Sequence, residues 1–147
     1  MNERFNFKAV LKNKTDDLSK PFLENKVFDV ITIGFKSDGI QTVTLLGHHK
    51  NGDYSVYEAD AEDVELIQCT GLKDKNGILI YEGDIVKFVF GNKYKNGEVT
   101  YSQTIWSVSN AQFVNREYVG GSLINLYSTC EVIGNIHENA ELLTECK

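Results

Sequence analysis

Proline is almost absent from this chain: Pro21 is the only one in 147 residues, whereas there are twelve glycines. The sequence also has no run of about twenty apolar residues that would span a bilayer, and no secretory-type leader. Hydrophobic residues make up 41% of the chain and aromatic residues 11%, which is typical of a folded, turn-rich protein. We therefore expect a soluble protein of the cytoplasm.

Cysteine is scarce and shows no pairing pattern. Cys69, Cys130 and Cys146 are widely spaced, their number is odd, and no two of them form a CxxC motif. This usage is typical of a reducing compartment in which the thiols are buried or incidental.

Motifs for metal, phosphate or nucleophile chemistry are missing as well. A calcium loop around Asp74 fails because Leu72 would occupy its first ligand position, and residues 71–73 lack the second glycine of a phosphate loop. His48 and His49 are adjacent in a predicted strand, so their side chains point to opposite faces and do not share a metal. No GxSxG motif is present. We therefore predict no catalytic residue, no metal and no cofactor, and a protein that is not an enzyme.

The net charge of the chain argues against nucleic-acid binding. With 15 basic and 21 acidic residues the formal net charge is −6, which opposes the attraction to phosphates that drives most nucleic-acid binding. The acidic stretch from Ala59 to Glu65 is interpreted as a solvated helical turn with Asp60 as its N-cap, the alternative being a metal-binding or DNA-mimicking patch. Lysines and carboxylates balance between Val64 and Thr100, which leaves a local basic face open.

The first part of the chain predicts an antiparallel meander over about residues 1–63. Short turns at Ser37–Gly39 and at Asn51-Gly52 separate apolar, β-branched segments, and a polar loop from Lys12 to Lys26 follows the first of them. The predicted strands are Arg4–Leu11, Val27–Phe35, Ile40–Leu46 and Tyr54–Glu58.

The stretch from Gln68 to Phe88 organises the second part. Asn76-Gly77 is the sequence signal of a two-residue type I′ hairpin turn. Gly83 is expected to be left-handed, and the side chain of Asp84 to accept hydrogen bonds from nearby backbone N–H groups. The run from Ile85 to Phe90 is apolar on both faces, which favours an interior strand with Phe88 and Phe90 in the core.

Further signals extend this pattern to the end of the chain. Asn96-Gly97 predicts another hairpin turn, residues 122–127 another strand, and Glu131–Ile133 a last strand that kinks at Gly134. Asn139 is a good N-cap for a short helix over Ala140–Glu145. We therefore predict a mainly β, single-domain protein: an antiparallel N-terminal meander packed on a small C-terminal β-barrel, about residues 64–147, with a short C-terminal helix.

Aromatic residues near the predicted turns are the best candidates for a partner-binding surface. Aromatic side chains of a small barrel more often fill the core, but exposed ones can stack on bases or contact a partner. The residues chosen on this ground are Tyr94, Tyr101 and Trp106.

Two blocks of the sequence resemble a known family. TGLKDKNG followed by IYEGDIVKF, and then VIGNIHENAELL at Val132–Leu143, are similar in order and spacing to the YopX protein family of bacteriophages and prophages. The resemblance covers Val64 to Leu143 well and Arg4 to Val10 more weakly. Ala140 is a departure, since the family more often has proline there. The resemblance implies a β-rich fold and a phage setting, and it supplies no catalytic residues.

These observations lead to one functional hypothesis and one alternative. The hypothesis is a non-catalytic phage or prophage accessory protein that binds a host or phage protein in the host cytoplasm, with self-association through a strand edge as a further option. The alternative is a nucleic-acid-binding small barrel in phage replication or regulation. Neither version involves a membrane.

Overall fold

The computed structural model describes residues 6–12, 26–102, 104–109 and 120–144. Most of the predicted loop between Lys12 and Lys26, and Cys146, lie outside these ranges. The described residues are mainly β, as predicted, with two antiparallel sheets of six and five strands. The chain divides into two compact units, Asn6–Gln68 and the part from Cys69 onward.

Four antiparallel strands of the first unit confirm the predicted meander. Strands β2, β3 and β4 follow each other in sequence and in the sheet, and β1 pairs between β2 and β5. Their core is an apolar cluster that includes the fully buried Val43 and Leu45. The strands are β1 (Phe7–Leu11), β2 (Val27–Lys36), β3 (Gly39–His48) and β4 (Tyr54–Asp60).

Strand β5 (Val64–Lys73) belongs to two pairings. Its first half pairs with β1, and its second half pairs with β6 (Leu79–Tyr81) after an irregularity between Cys69 and Lys73. The order of the six-stranded sheet is therefore β4-β3-β2-β1-β5-β6. Gly71 lies in the irregularity with a φ of 76°, a conformation that favours glycine.

The other sheet lies in the second unit and has the order β10-β9-β8-β7-β11. Strand β7 is interior, as its apolar faces predicted. Val86, Phe88, Val99 and Val108 project into one buried cluster on one side of the sheet. The strands are β7 (Asp84–Phe90), β8 (Lys93–Ser102), β9 (Ile105–Ser109), β10 (Gly120–Ser122) and β11 (Glu131–Asn135).

These five strands form an open sheet, and within the described ranges no pairing closes it into the predicted small barrel. Strand β10 is only three residues long and leads directly into helix α1 (Leu123–Leu126), where a strand was predicted over residues 122–127. Leu123 of this helix is fully buried in the apolar cluster. The chain thus leaves the sheet edge to cover the core, because burying a leucine contributes more than extending a short edge strand.

Two of the predicted hairpin turns, at residues 76–77 and 96–97, differ from the turns in the structure. The turn at Asn76-Gly77 exists, but it has three residues: the Gly77 N–H donates to the carbonyl of Asp74, and only Gly77 has a positive φ, of 81°. Asn96-Gly97 is not a turn, because both residues lie inside β8 and pair with Lys87 and Val86. The turn between β7 and β8 is Gly91-Asn92, whose two positive φ values, 55° and 63°, are those a type I′ turn requires.

The predicted C-terminal helix is a 3₁₀ turn over Ala140–Leu143. Asn139 precedes it, but the Asn139 side chain accepts a hydrogen bond from the Asn135 N–H and does not cap the turn. The acidic segment forms a similar turn, Ala61–Asp63, again without a side-chain bond from its N-cap Asp60. None of the helices in the described residues is long and apolar enough to cross a bilayer.

Candidate binding surface

The β7–β8 hairpin presents different residues on its two faces. Side chains alternate along a strand, and directly paired residues share a face. The pairs of Val86 with Gly97 and of Phe88 with Lys95 lie on the face that carries the core. The pairs of Lys87 with Asn96 and of Val89 with Tyr94 therefore lie on the other face, which we call the outer face.

Near the turn, the outer face carries a small exposed patch of Lys87, Val89 and Tyr94, which we call the outer-face patch. Tyr94 is 68% exposed and Val89 is 53% exposed, although they are directly paired. The Lys87 ammonium lies 4.9 Å from the centre of the Tyr94 ring, within the range of a cation–π contact. A cation and two apolar side chains thus form one continuous surface.

Charges at the turn end of this hairpin are of one sign, although of its three lysines only Lys87 lies on the outer face, since Lys93 and Lys95 pair with Phe90 and Phe88. No carboxylate occurs between Ile85 and Gly97, whereas Lys87, Lys93 and Lys95 lie in this range. The nearest carboxylate across the sheet, Glu131, pairs in register with Lys87 but holds the Lys75 ammonium at 2.6 Å. The hairpin therefore has a basic end in a chain whose net charge is −6.

The 3₁₀ turn Ala140–Leu143 covers the neighbouring part of the outer face. Asn96 donates a hydrogen bond of 2.8 Å from its side chain to the carbonyl of Leu142, and Ile85 is completely buried there. Gly134 allows this close approach, because a Cβ at that position would lie 2.9 Å from Leu142 Cδ1. The turn that carries Leu142 marks where the exposed patch ends.

The three aromatic residues chosen from the sequence do not share a face. Tyr101 and Trp106 are paired across β8 and β9 on the core face, with ring centres 4.9 Å apart. Trp106 packs against the buried cluster, whereas Tyr101 is 54% exposed. Tyr94 is seven residues from Tyr101 in the same strand, so it points to the opposite face. Phe90, predicted to lie in the core, is 40% exposed because it is the last residue before the turn.

A polar group surrounds the corner at Gly83. As predicted, Gly83 has a positive φ of 77°, and the Asp84 carboxylate accepts a 2.8 Å hydrogen bond from the Tyr81 N–H. Gly83 bonds to Val99 through its N–H and to Ile136 through its carbonyl, so β8 and residues 136–137 meet here.

Glu98 is a half-buried carboxylate of this corner, and its pKa is raised. Burial raises the pKa of Glu98, His137 works in the opposite direction, and the charge of Glu82 raises it further. In the described parts of the chain, however, no three His, Cys, Asp or Glu side chains come together as metal ligands would. We assign no chemistry to this corner.

Asp74 serves the scaffold. The buried Asp74 carboxylate accepts hydrogen bonds from the N–H groups of Asn76, Ile78 and Val132, at 2.8, 2.9 and 2.9 Å. Burial on its own would raise the pKa of Asp74, but these three donors and the charge of Lys75 outweigh it and hold the pKa below its usual value. The residue that resembled a calcium ligand therefore connects the turn to β11.

The buried cysteines are equally structural. Cys130 is completely buried, and burial raises the pKa of its thiol to about 11. A thiol with that pKa is protonated at neutral pH and is a weak nucleophile.

The histidines of the first unit make separate contacts. His48 lies 3.2 Å from the Asp29 carboxylate, whereas His49 lies 2.7 Å from the Ser55 hydroxyl. His49 and Ser55 line a wide open depression at the β3–β4 turn that residues 49–55 form on their own. Both histidines are exposed, and the carboxylate among the residues that line this depression, Asp53, accepts a 2.6 Å hydrogen bond from the Asn51 side chain.

Sequence reasoning missed Lys87 and Glu98. A usable signal existed for Lys87, since residues at i and i+2 of a strand share a face and Lys87 and Val89 have this spacing. No local signal existed for Glu98, because its neighbours Glu82 and His137 come from distant segments.

Together these features define a class: a mainly β chain with two antiparallel sheets and an exposed basic and aromatic patch on one hairpin. Residues 22–144 match the family model described as YopX protein. The chain belongs to the YopX family, which confirms the resemblance read from the two sequence blocks.

Solved structures support the same fold. Protein yopX from Bacillus subtilis has 22% sequence identity and a TM-score of 0.52, over 95% of this chain and 98% of that one. Protein EF1440 from Enterococcus faecalis has 24% identity and a TM-score of 0.55, over 94% of this chain and 96% of that one. At these identities the likeness concerns the fold alone. A comparison with curated proteins finds no match.

Proposed function

We propose that this chain is a non-catalytic accessory protein of a phage or prophage that binds a host or phage protein in the host cytoplasm. The phage setting is what the family resemblance implies. The observation that carries the binding role is the outer-face patch, where Lys87, Val89 and Tyr94 are exposed side by side. Exposed aromatic and apolar residues beside a cation are typical of protein-binding surfaces.

The partner surface is expected to be acidic with an apolar centre. Lys87 supplies the positive charge of the patch itself, and Lys93 and Lys95 on the other face of the same hairpin add to the positive field that steers carboxylates toward it. Val89 and Tyr94 offer the apolar contact that such an interface needs at its centre. Because the 3₁₀ turn Ala140–Leu143 borders the patch, the partner would contact a small area and bind reversibly.

Affinity capture with matched variants tests this role. The chain and its Tyr94→Ala and Tyr101→Ala variants are immobilised and exposed to nuclease-treated lysate of the infected host, and the captured proteins are identified by mass spectrometry. Tyr101 is the matched control, because it is the same residue type in the same strand and is exposed on the opposite face.

We expect one protein to be captured by the unchanged chain and by Tyr101→Ala, and to be lost or weakened at least about tenfold by Tyr94→Ala. Circular dichroism checks that both variants are folded. Equal capture by all three chains, or a loss confined to Tyr101→Ala, would contradict the use of the outer-face patch.

The second candidate function is binding of single-stranded nucleic acid, which the same hairpin favours because Lys87 lies beside Tyr94 and two further lysines, Lys93 and Lys95, lie on its other face. Aromatic rings stack on bases and lysines contact phosphates. Fluorescence anisotropy with a labelled single-stranded oligonucleotide over a range of salt concentrations distinguishes the two. Three phosphate contacts predict a slope of about −2 in log K against log salt. Such binding, if abolished by Lys87→Glu, would replace the protein-partner proposal.

A further inference from the structure

Of the four strands at the ends of the described sheets, β4 is the longest and the most regular. The other strands at sheet ends are β6 and β10, with three residues each, and β11, whose pairing with β7 shifts between Val132 and Gly134. Strand β4 has seven residues, and all of them pair with β3 in one unbroken register, from Tyr54 with His48 to Asp60 with Thr42. Among the described strands it pairs on one side only.

The side chains of β4 leave this edge accessible. Tyr54 and Val56 are 69% and 55% exposed, and Glu58 and Asp60 continue the same face. Proteins usually protect an edge strand with lysine, proline or a bulge, because its free N–H and C=O groups otherwise pair with another chain. The sequence YSVYEAD of β4 contains no lysine, proline or glycine, and its register with β3 has no bulge.

We propose that a second copy of this chain pairs antiparallel with β4, so that the two β4 strands continue one sheet across a two-fold axis. This inference is independent of the proposed function. Centred on Tyr57, the pairing uses all seven residues and is self-complementary, as a two-fold interface requires. Tyr54 then lies opposite the partner's Asp60, and Val56 opposite the partner's Glu58.

The self-complementary register permits this occupant, and charge predicts how it behaves. In the register centred on Tyr57 no carboxylate lies directly opposite a carboxylate, and the two Glu58 residues are only diagonal neighbours. Both chains nevertheless carry a formal charge of −6. Salt screens this repulsion, so the dimer becomes tighter as ionic strength rises. A head-to-tail contact of the basic hairpin with an acidic segment of another copy would weaken instead.

Sedimentation equilibrium tests the proposal. Measured over a roughly hundredfold range of protein concentration, it detects a difference of about a hundredfold in dissociation constant between the unchanged chain and a variant. Val56→Glu places a carboxylate directly opposite the partner's Glu58 on both sides of the two-fold axis, a like-charge pairing that opposes association. Ile31→Glu is its matched control. Ile31 is also an exposed β-branched residue, 50% exposed, but it lies in the interior strand β2. Circular dichroism confirms that each variant keeps its β structure.

We expect the unchanged chain and Ile31→Glu to reach the mass of two chains at high concentration, more readily in high salt, and Val56→Glu to remain at the mass of one. A monomer at every concentration for the unchanged chain would overturn the proposal. So would a dimer that persists in Val56→Glu, or one that dissociates as salt is added.

Discussion

At the scale of single residues, the second unit depends on a buried carboxylate. Asp74 organises its own turn through the N–H groups of Asn76 and Ile78 and reaches β11 through the N–H of Val132. The adjacent Lys75 adds an ion pair to Glu131, and its backbone N–H bonds to the carbonyl of Cys130. A turn and a strand 58 residues further along the chain are thus connected by one side chain and its neighbour.

Replacing Asp74 with asparagine should destabilise the protein by about 1–3 kcal/mol, since the amide group presents a donor to one of the three N–H groups and leaves it unpaired. The exposed Asp38 is the matched control, and Asp38→Asn should change stability by less than about 0.5 kcal/mol. Urea unfolding at pH 7 measures both. Equal stability of the two variants would show that the Asp74 network does not hold β11.

The same carboxylate predicts a pH dependence of stability. The pKa of Asp74 is lower in the folded state than in the unfolded chain, where it is about 3.9. Its contribution is therefore complete above about pH 4 and is lost as the pH falls through the folded pKa. The unchanged chain should lose stability more steeply than Asp74→Asn below about pH 4, and parallel curves would contradict this.

At the scale of elements, β8 explains both a correct and a wrong prediction. Gly97 lies in the middle of this strand because Phe88 packs over it: a Cβ there would lie 2.7 Å from Val108 Cγ1 and 3.0 Å from Phe88 Cε1. The sequence shows the same Asn-Gly pair at 76–77 and at 96–97, yet only the first pair is in a turn. The dipeptide alone does not distinguish a turn from a close approach of a core phenylalanine.

Gly97→Ala should cost about 1–3 kcal/mol of unfolding free energy, because the added methyl group overpacks the core. Gly121→Ala is the control, since a Cβ there would meet only Leu126 Cδ1 at an ordinary 3.6 Å. It should change stability by less than about 1 kcal/mol. Thermal or urea unfolding compares the two, and an unaffected Gly97→Ala would mean that Phe88 does not require glycine beneath it.

The misplaced turn also explains why the candidate surface was only partly predicted. With a turn at 96–97, Tyr94 and Tyr101 belong to different strands, and nothing relates their faces. With β8 continuous from Lys93 to Ser102, seven residues separate them and they must point to opposite sides. The aromatic residues could thus be chosen from the sequence, but their grouping depended on a register that only the structure provides.

At the scale of the whole molecule, the sequence sufficed for the class and the family but not for the topology. Apolar segments between short turns predicted the meander of the first unit. The two sequence blocks, by their order and spacing, indicated the YopX family. Closure of the second sheet could not be predicted, because it depends on whether residues 122–127 extend an edge or cover the core. Because Leu123 is buried in the apolar cluster, this segment covers the core.

The central claim is that the outer-face patch, and not the opposite side of β8, contacts a protein partner. Hydroxyl-radical footprinting tests this claim directly. Tyr94 and Tyr101 are both tyrosines, so they have the same intrinsic reactivity toward the radical, and both are exposed in the chain alone. With the captured partner bound, oxidation of Tyr94 should fall while oxidation of Tyr101 stays unchanged. Protection of Tyr101 with Tyr94 still reactive would contradict the claim.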